Sequence, residues 1–283
     1  MNCKNCENVL EENANFCENC GAKVVTERIT FKALLVEVFI NVFGFDSKFF
    51  LTLRMVARKP HVVISEVLSG VRKRYMNPFA FLAVAAALAL LVFNYFEDDF
   101  KKINSEINSS QIEMYKAKAN MDIASMKGLS AKEIQKLEIE KKGAEMQLRF
   151  LDGMMDFMLR YYNLLSFLFI VIYALLSKWT FWKPHNFGEH VVINAYLFAF
   201  TVYISLVMFF LALVVHPSIY MYSIPVYIVF YMYAFGKLYK LSVGKNILKF
   251  LRFLLGLAII FIVLVIIGII VAIAIGFLGL LNP

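Results

Sequence analysis

Long runs of uncharged apolar residues constrain this chain more than any other feature of its sequence. About 20 helical residues cross the roughly 30 Å hydrocarbon layer of a bilayer, where every backbone polar group must find a partner within the protein. The sequence therefore predicts an all-α polytopic membrane protein with five transmembrane helices. The second run needs its apolar flank to reach full length, and the five runs are Pro78–Phe96, Tyr161–Leu176, Val191–Val215, Ser218–Phe235 and Phe253–Leu281.

The composition agrees with a membrane location. Of the 283 residues, 60% are hydrophobic and 18% are charged, whereas a soluble domain has about 45–50% apolar and about 25% charged residues. The first 22 residues contain four Glu and four Cys and lack the apolar segment of a signal peptide. We therefore expect the N-terminus to stay in the cytoplasm.

The distribution of Lys and Arg predicts the orientation of the chain. Basic residues concentrate before the first run, and the loop between the fourth and fifth runs carries five basic residues and no acidic one. The segment 97–153 instead balances 10 basic against 11 acidic residues. The positive-inside rule then predicts a cytoplasmic N-terminus and an extracytoplasmic C-terminus. The net charge of +8 orients the protein and does not indicate a nucleic-acid partner.

All four cysteines lie within the first 20 residues, as two CxxC pairs separated by ten residues. Two such pairs supply four thiolates to a tetrahedral zinc ion, and Gly21 permits a tight turn after the second pair. Because four thiolates leave no open coordination position, the predicted Zn²⁺ is structural. Its ligands would be Cys3, Cys6, Cys17 and Cys20.

Residues 1–25 are therefore predicted to form a cytoplasmic zinc ribbon. A disulfide framework is the competing interpretation, but a cytoplasmic segment is kept reduced. Glu7 stands where a glycine often follows the first CxxC pair, which predicts a less regular first knuckle. Residues 1–23 contain two Lys and four Glu, the wrong sign for binding phosphates. We expect the ribbon to contact a protein partner.

The segment 26–77 is predicted to hold juxtamembrane amphipathic helices. An apolar stripe at helical spacing runs from Phe31 to Phe43, and a second helix is predicted at Ser47–Arg58. A third helix is expected near Val62–Val71. These helices either lie along the inner membrane surface or pack against the cytoplasmic ends of the spans, and the sequence leaves both arrangements open.

The segment 97–153 has two helical patterns separated by Lys127–Ser130. Each has a stripe at 3-4 spacing, which predicts an extracytoplasmic antiparallel coiled-coil hairpin. Ser130 and Glu133 can form a capping box at the start of the second arm. The arms should continue the first two spans and project by about 40 Å. Residues 154–283 then hold the second to fifth spans. The first stripe is Ile103, Ile107, Ser110, Met114, Ala117, Met121 and Ala124, and the second is Ile134, Leu137, Lys141, Ala144, Leu148, Leu151, Met155 and Met158.

Polar residues near the membrane are the default candidates for function. Glu189 and His190 could relay protons, or bind a second metal with His185, but neighbouring residues point to different helix faces. An interfacial anchor beside Trp179 and Trp182 is the favoured interpretation. A basic cluster, Arg72, Lys73 and Arg74, is predicted to anchor the chain before the first span. A stripe of small residues in the last span could contact another helix or a second copy of the chain, and it consists of Gly268, Ala272 and Gly276.

Several of these motifs occur together in one known pattern. It begins with the CxxC and FCxxCG knuckles, continues through Thr52-Leu53, Pro60 and Gly70–Tyr75 with Pro78, and ends in Glu189-His190. In this the chain resembles an uncharacterised bacterial membrane-protein family, a domain of unknown function. The resemblance implies a membrane location and a zinc ribbon but no activity. In architecture alone, the five-span chain is also similar to Yip1-like membrane proteins.

The sequence contains no nucleophile elbow, P-loop or HExxH motif, so we expect no enzymatic activity. The favoured hypothesis is a non-enzymatic membrane scaffold or adaptor, with protein partners at the ribbon and at the outer hairpin. The alternative is a channel, a transporter or a membrane-disrupting effector. A membrane enzyme built around Glu189, His190 and His185 is the third hypothesis.

Overall fold

A computed structural model describes residues 2–3, 5–11, 14–21, 24, 47–71, 73–126, 128 and 130–277. The predicted amphipathic helix between residues 31 and 43, and Arg72, lie outside the described residues. The chain divides into two compact units, Met1–Phe43 and Gly44–Pro283. In the described part of the first unit, the secondary structure comprises turns and an isolated antiparallel bridge between Asn2 and Val9.

The described part of the second unit is helical. Two 3₁₀ turns, at Ile123–Ser125 and Pro217–Tyr222, interrupt the series of α-helices. The α-helices are α1 Ser47–Arg58, α2 Pro60–Leu68, α3 Pro78–Tyr95, α4 Glu97–Ile107, α5 Ser109–Ala119, α6 Ala131–Arg160, α7 Tyr162–Thr180, α8 Phe187–Val214, α9 Ser223–Leu238 and α10 Val243–Phe277.

Four helical stretches are long and apolar enough to cross a membrane, namely Pro78–Tyr95, Phe187–Val214, Pro217–Leu238 and Val243–Gly268. A fifth is counted if Ala131–Arg160 and Leu164–Thr180, which are bent by 92° to each other, form one broken span. The predicted class, an all-α multi-pass membrane protein, is therefore confirmed.

Helix α8 lies at the centre of the bundle. It contacts α1, α2, α3, α4, α7, α9 and the turn at Pro217–Tyr222, and its fully buried side chains include Ile193, Tyr196, Leu197 and Phe209. Helix α10 is the opposite case, because only 6% of its most apolar 18-residue stretch is buried. Its 35 residues make it about 52 Å long at 1.5 Å per residue, longer than a bilayer is thick.

Helix α1 has the predicted bounds and packs against the bundle. Phe49 and Val56 are buried, and the Phe49 ring lies 6.0 Å from the ring of Tyr203 in α8. The Thr52 hydroxyl accepts a hydrogen bond of 2.9 Å from the backbone N–H of Met76, just before α3. Of the two arrangements that the sequence left open, the structure therefore has packing against the ends of the spans.

The segment 97–153 contains the two helical arms, with the predicted capping box at Ser130 and Glu133. The second arm packs much as its stripe predicts, since Ala144 is buried and Leu137 and Leu148 are half-buried. The first arm follows its stripe at Ile103, which is buried, and at Ile107, which is half-buried, but not within α5. Its predicted residues Ser110, Met114 and Ala117 are exposed, while Ile112, Tyr115 and Ala119 are half-buried. The arm breaks at Asn108, between α4 and α5, and this break changes which side of the helix faces its partner.

The prediction that the second arm continues the second span as a straight helix is wrong. At the base of the first arm, the Phe100 ring lies 4.8 Å from Phe93 and 6.0 Å from Tyr220, so α4 lies against the end of the bundle. The second arm, α6, is sharply bent relative to α7.

Candidate functional site

The four cysteines converge in the first unit. Their Sγ atoms all lie within 4.8 Å of one another. Cys3 Sγ is 3.7 Å from Cys20 Sγ, and Cys6 Sγ is 3.6 Å from Cys17 Sγ. These separations are far longer than the roughly 2.05 Å of a disulfide bond. The group could hold one metal ion.

The backbone of the two knuckles follows the same path. The N–H of Glu7 donates to the carbonyl of Cys3, and the N–H of Gly21 donates to the carbonyl of Cys17, each at 2.8 Å. Glu7 has φ 61° and Gly21 has φ 70°. The predicted irregularity at Glu7 is therefore absent from the fold, because the glutamate adopts the left-handed conformation that a glycine takes at no steric cost.

His190 lies in a buried polar cluster between α7, α8 and α9. Its Nδ1 is 2.9 Å from the Ser177 hydroxyl, and its Nε2 is 3.4 Å from the Tyr239 hydroxyl. The Asn194 amide donates to Ser177 Oγ at 2.8 Å and to the His190 carbonyl at 2.7 Å. Ser177, His190 and Asn194 are fully buried. The cluster joins the helices through hydrogen bonds in an apolar setting, where leaving such groups unpaired is costly.

Glu189 and His190 have separate surroundings, as their adjacent positions predict. Glu189 forms a capping box with Asn186 at the start of α8. Its Oε2 is 3.6 Å from His185 Nδ1, while the ring centroids of His185 and His190 are 6.3 Å apart. Among the described residues, the cysteines form the one group of three or more potential metal ligands that is close enough to share an ion. The geometry thus gives no support to a second metal at His185.

The segment after α7 closes over this cluster. The Lys178 ammonium donates to the carbonyls of Trp182 and His185 at 2.6 and 2.7 Å. Trp182 is 66% exposed, in keeping with the predicted interfacial anchor. Trp179 instead lies beneath the Arg252 guanidinium, which is 4.7 Å from its ring centroid. Of the two tryptophans, Trp179 therefore packs between helices.

In the basic cluster, the structure gives Arg74 a defined role. Its guanidinium lies 3.1 Å from the Glu66 carboxylate, which also accepts a hydrogen bond of 2.8 Å from the buried Tyr75 hydroxyl. Burial is the main cause that raises the pKa of Tyr75, and Glu66 adds to it. Arg74 and Tyr75 thus tie the segment before α3 to α2. Lys73 also lies within the described residues.

Two candidate positions could not be predicted from the sequence, because only their spatial neighbours reveal them. The first is Gly256, where an added Cβ would lie 2.8 Å from atoms of both Leu176 and Trp179. At Gly268, in the predicted stripe, a Cβ would meet nothing within 4 Å, and the side chains of Ala272 and Gly276 lie outside the described residues. The close approach of α7 and α10 therefore occurs at Gly256, three turns before the predicted stripe.

The second is His61, at the start of α2. Its ring packs edge-on against Tyr233, with centroids 6.2 Å apart, and its Nδ1 has no hydrogen-bond partner among the described residues. Burial lowers the pKa of His61, and the positive charges of Lys237 and Lys59 lower it further. In the sequence, His61 is only a histidine close to basic residues. Such a pattern is too common to indicate a functional site.

Residues 46–90 match the model of a family described as a protein of unknown function, DUF3667. The match fits the expected domain of unknown function. It contains α1, α2 and most of α3, and the ribbon, the hairpin and α7–α10 lie outside it. No curated protein and no solved structure matches the chain.

Proposed function

We propose that this protein is a non-enzymatic scaffold or adaptor of the bacterial inner membrane. A structural zinc ribbon would contact a protein partner in the cytoplasm, and the outer coiled-coil hairpin would contact another beyond the membrane. The observation that carries the proposal is the convergence of the four cysteine sulfurs. It supports a small folded module on a membrane anchor, with no open metal position for catalysis.

The donor set of the ribbon suits zinc. Four sulfurs placed about 2.3 Å from a tetrahedral zinc ion lie about 3.8 Å from one another. The two shortest separations described above, 3.6 and 3.7 Å, are close to this value. A segment this short cannot bury a hydrophobic core, so bound zinc would supply most of its folding free energy.

The ribbon surface supports a protein partner. Val9 and Phe16 are 74% and 55% exposed although both are apolar. The nearby charges on this segment are mainly the carboxylates of Glu7, Glu11 and Glu18. An apolar surface with acidic residues around it suits a protein surface and repels nucleic-acid phosphates.

The hairpin carries a second apolar surface. Ile139, Met146, Phe150 and Phe157 are all more than half exposed on α6. Their spacing of seven, four and seven residues places them along one side of the helix, opposite the stripe that contains Ala144. This exposed apolar stripe on α6 supports a protein partner at the hairpin.

The zinc proposal is tested on the full-length protein purified in detergent. Metal analysis should find one zinc ion per chain, and changing Cys3, Cys6, Cys17 and Cys20 to Ser should remove it. Asn5→Ser, an exposed position within the first knuckle, is the matched control and should retain the metal. Stoichiometric zinc in the four-serine variant would contradict the proposal.

The adaptor proposal is tested by site-specific photo-cross-linking in cells. A cross-linking residue at Met146 or Phe150 should give the same adduct, whereas one at Glu138, which lies off the stripe, should give little. The adduct should contain one identifiable protein. Absence of adducts at all three positions would contradict a partner on this face of the hairpin.

Two further measurements address the other function classes. Ion flux through liposomes that contain the purified protein would favour a channel or transporter. Turnover of a small substrate that is lost on changing Glu189 or His190 would favour an enzyme. The adaptor proposal expects neither result.

A further inference from the structure

A cavity of about 410 Å³ lies between α7, α8, α9 and α10, within the size range of about 300–1,000 Å³ typical of ligand pockets. Along α9 it extends from Ile224 to Phe235, a distance of about 16 Å in a helix. This is about half of the roughly 30 Å hydrocarbon layer, the depth of one leaflet. Its walls are largely aromatic and include Tyr173, Phe181, Phe198, Tyr231, Phe235 and Phe253.

Polar side chains interrupt the apolar walls. Thr201 and Asn246 line the cavity and donate to backbone carbonyls. Lys249 also lines the cavity, and its ammonium donates to the Thr180 carbonyl at 2.7 Å. An ammonium has three N–H donors, so two remain available. The cavity therefore suits a ligand with a long apolar body and acceptor oxygens near one end.

The charge beside the cavity is uniformly positive. Lys245, Lys249 and Arg252 follow one another at i, i+4 and i+7, on one face of α10. The sequence has no Asp or Glu after Glu189. In the described part of the chain, none of the ion pairs involves these three residues. A negatively charged group beside this face would complement it.

We propose that the cavity binds an anionic glycerophospholipid. One acyl chain lies among the aromatic rings, and the phosphate contacts Lys249. The deep aromatic cavity favours a lipid over free phosphate, which has no apolar part to bury. The basic face of α10 favours a lipid with a net negative charge over a zwitterionic lipid. The site does not depend on the ribbon or on the hairpin.

The test uses native mass spectrometry of the full-length protein in detergent micelles. Equal amounts of phosphatidylglycerol and phosphatidylcholine with identical acyl chains are offered together. We expect the protein to retain phosphatidylglycerol with a preference of about tenfold, and Lys249→Gln to remove most of it, as loss of a charged hydrogen bond implies. Lys183→Gln, which removes an equal charge at an exposed loop position, should leave the preference unchanged.

A second pair of variants tests the cavity itself. Leu254 lines the cavity and Leu255 does not, and both are exposed, at 40% and 57%. Leu254→Trp should lower the retention of both lipids several-fold, whereas Leu255→Trp should not.

Three outcomes would overturn the proposal. They are equal retention of the two lipids by the unaltered protein, retention that Leu254→Trp does not change, and displacement of phosphatidylglycerol by inorganic phosphate alone. The Leu254 and Leu255 pair decides the matter if Lys249→Gln does not fold, which size-exclusion chromatography would reveal.

Discussion

At position 7, a glutamate stands where zinc knuckles often have a glycine, yet the backbone makes the same turn. The left-handed conformation of Glu7, at φ 61°, is stabilised by the hydrogen bond from its N–H to Cys3. A residue with a Cβ pays about 1–2 kcal/mol in this region, and part of that is offset because glycine loses more entropy on folding. The sequence identified the position, and only the backbone geometry showed that the turn tolerates glutamate.

We expect Glu7→Gly to stabilise the zinc-bound ribbon by about 0.5–1 kcal/mol. Zinc affinity, measured by competition with a chelator, should rise roughly two- to fivefold. Glu18→Gly is the control, because Glu18 does not have a positive φ and gains nothing from glycine. Equal or weaker zinc binding by Glu7→Gly would argue against strain at this turn.

His61 predicts a dependence of stability on pH. Its pKa in the folded protein is lower than the ordinary 6.5, so below about pH 6.5 the unfolded chain binds more protons than the folded one. Stability should therefore be complete above this pH and fall as the pH decreases. His61→Phe keeps an aromatic ring against Tyr233 and removes the titrating group.

The measurement compares apparent melting temperatures at about pH 7.5 and 5.5. The drop on acidification should be smaller in His61→Phe than in the unaltered protein. Lys59→Gln removes one of the two positive charges and should reduce the drop only in part, because burial is the largest cause of the lowered pKa. An identical drop in all three proteins would rule out His61 as the source.

At the scale of elements, α7 and α10 depend on one close contact. Among the described side chains of the long exposed helix, Gly256 is the buried one, and it faces Leu176 and Trp179. The Trp179 ring is itself held beneath Arg252. Small residues at helix contacts let two backbones approach in a membrane.

Gly256→Ala should destabilise the protein by about 1–3 kcal/mol, because the added methyl group overlaps the indole ring and Leu176. Gly268→Ala is the matched control in the same helix, since a Cβ there meets nothing. It should be neutral or slightly stabilising through its better helix propensity. Thermal unfolding of the purified variants makes the comparison, and equal behaviour of the two would contradict the assigned contact.

The two arms of the hairpin show where helical periodicity succeeds and where it fails. The second arm is one continuous helix of 30 residues, so its spacing correctly indicated that Ala144 faces inward. The first arm is two helices of 11 residues each. A break in a helix rotates the residues after it relative to those before it, so the 3.6-residue repeat does not continue across the break. The spacing of residues before Asn108 therefore could not indicate which side of the next helix faces inward.

At the scale of the whole molecule, the orientation in the membrane is a prediction from charge. Single cysteines at Glu138 and at Lys245, in a background without the four native cysteines, allow labelling from one side. An impermeant maleimide should label position 138 from outside the cell and should label position 245 only after the membrane is opened. The reverse pattern would contradict the cytoplasmic N-terminus.

The sequence by itself determined the class of this protein and the approximate positions of its spans. Long apolar runs are local, and the need to pair every backbone group in lipid turns such a run into a helix whatever its neighbours are. The convergence of the cysteines was predictable for a similar reason, since the CxxC spacing places two sulfurs within a single turn.

Only the tertiary structure decided what lies between the helices. The packing of α1 against the bundle, the burial of His190, the contact at Gly256 and the aromatic cavity with Lys249 all join residues distant in sequence. In a membrane, an apolar side chain can contact lipid or another helix equally well. Hydrophobicity therefore marks a span but cannot tell which of its faces meets another helix, and that choice rests on side-chain shape and on buried hydrogen bonds.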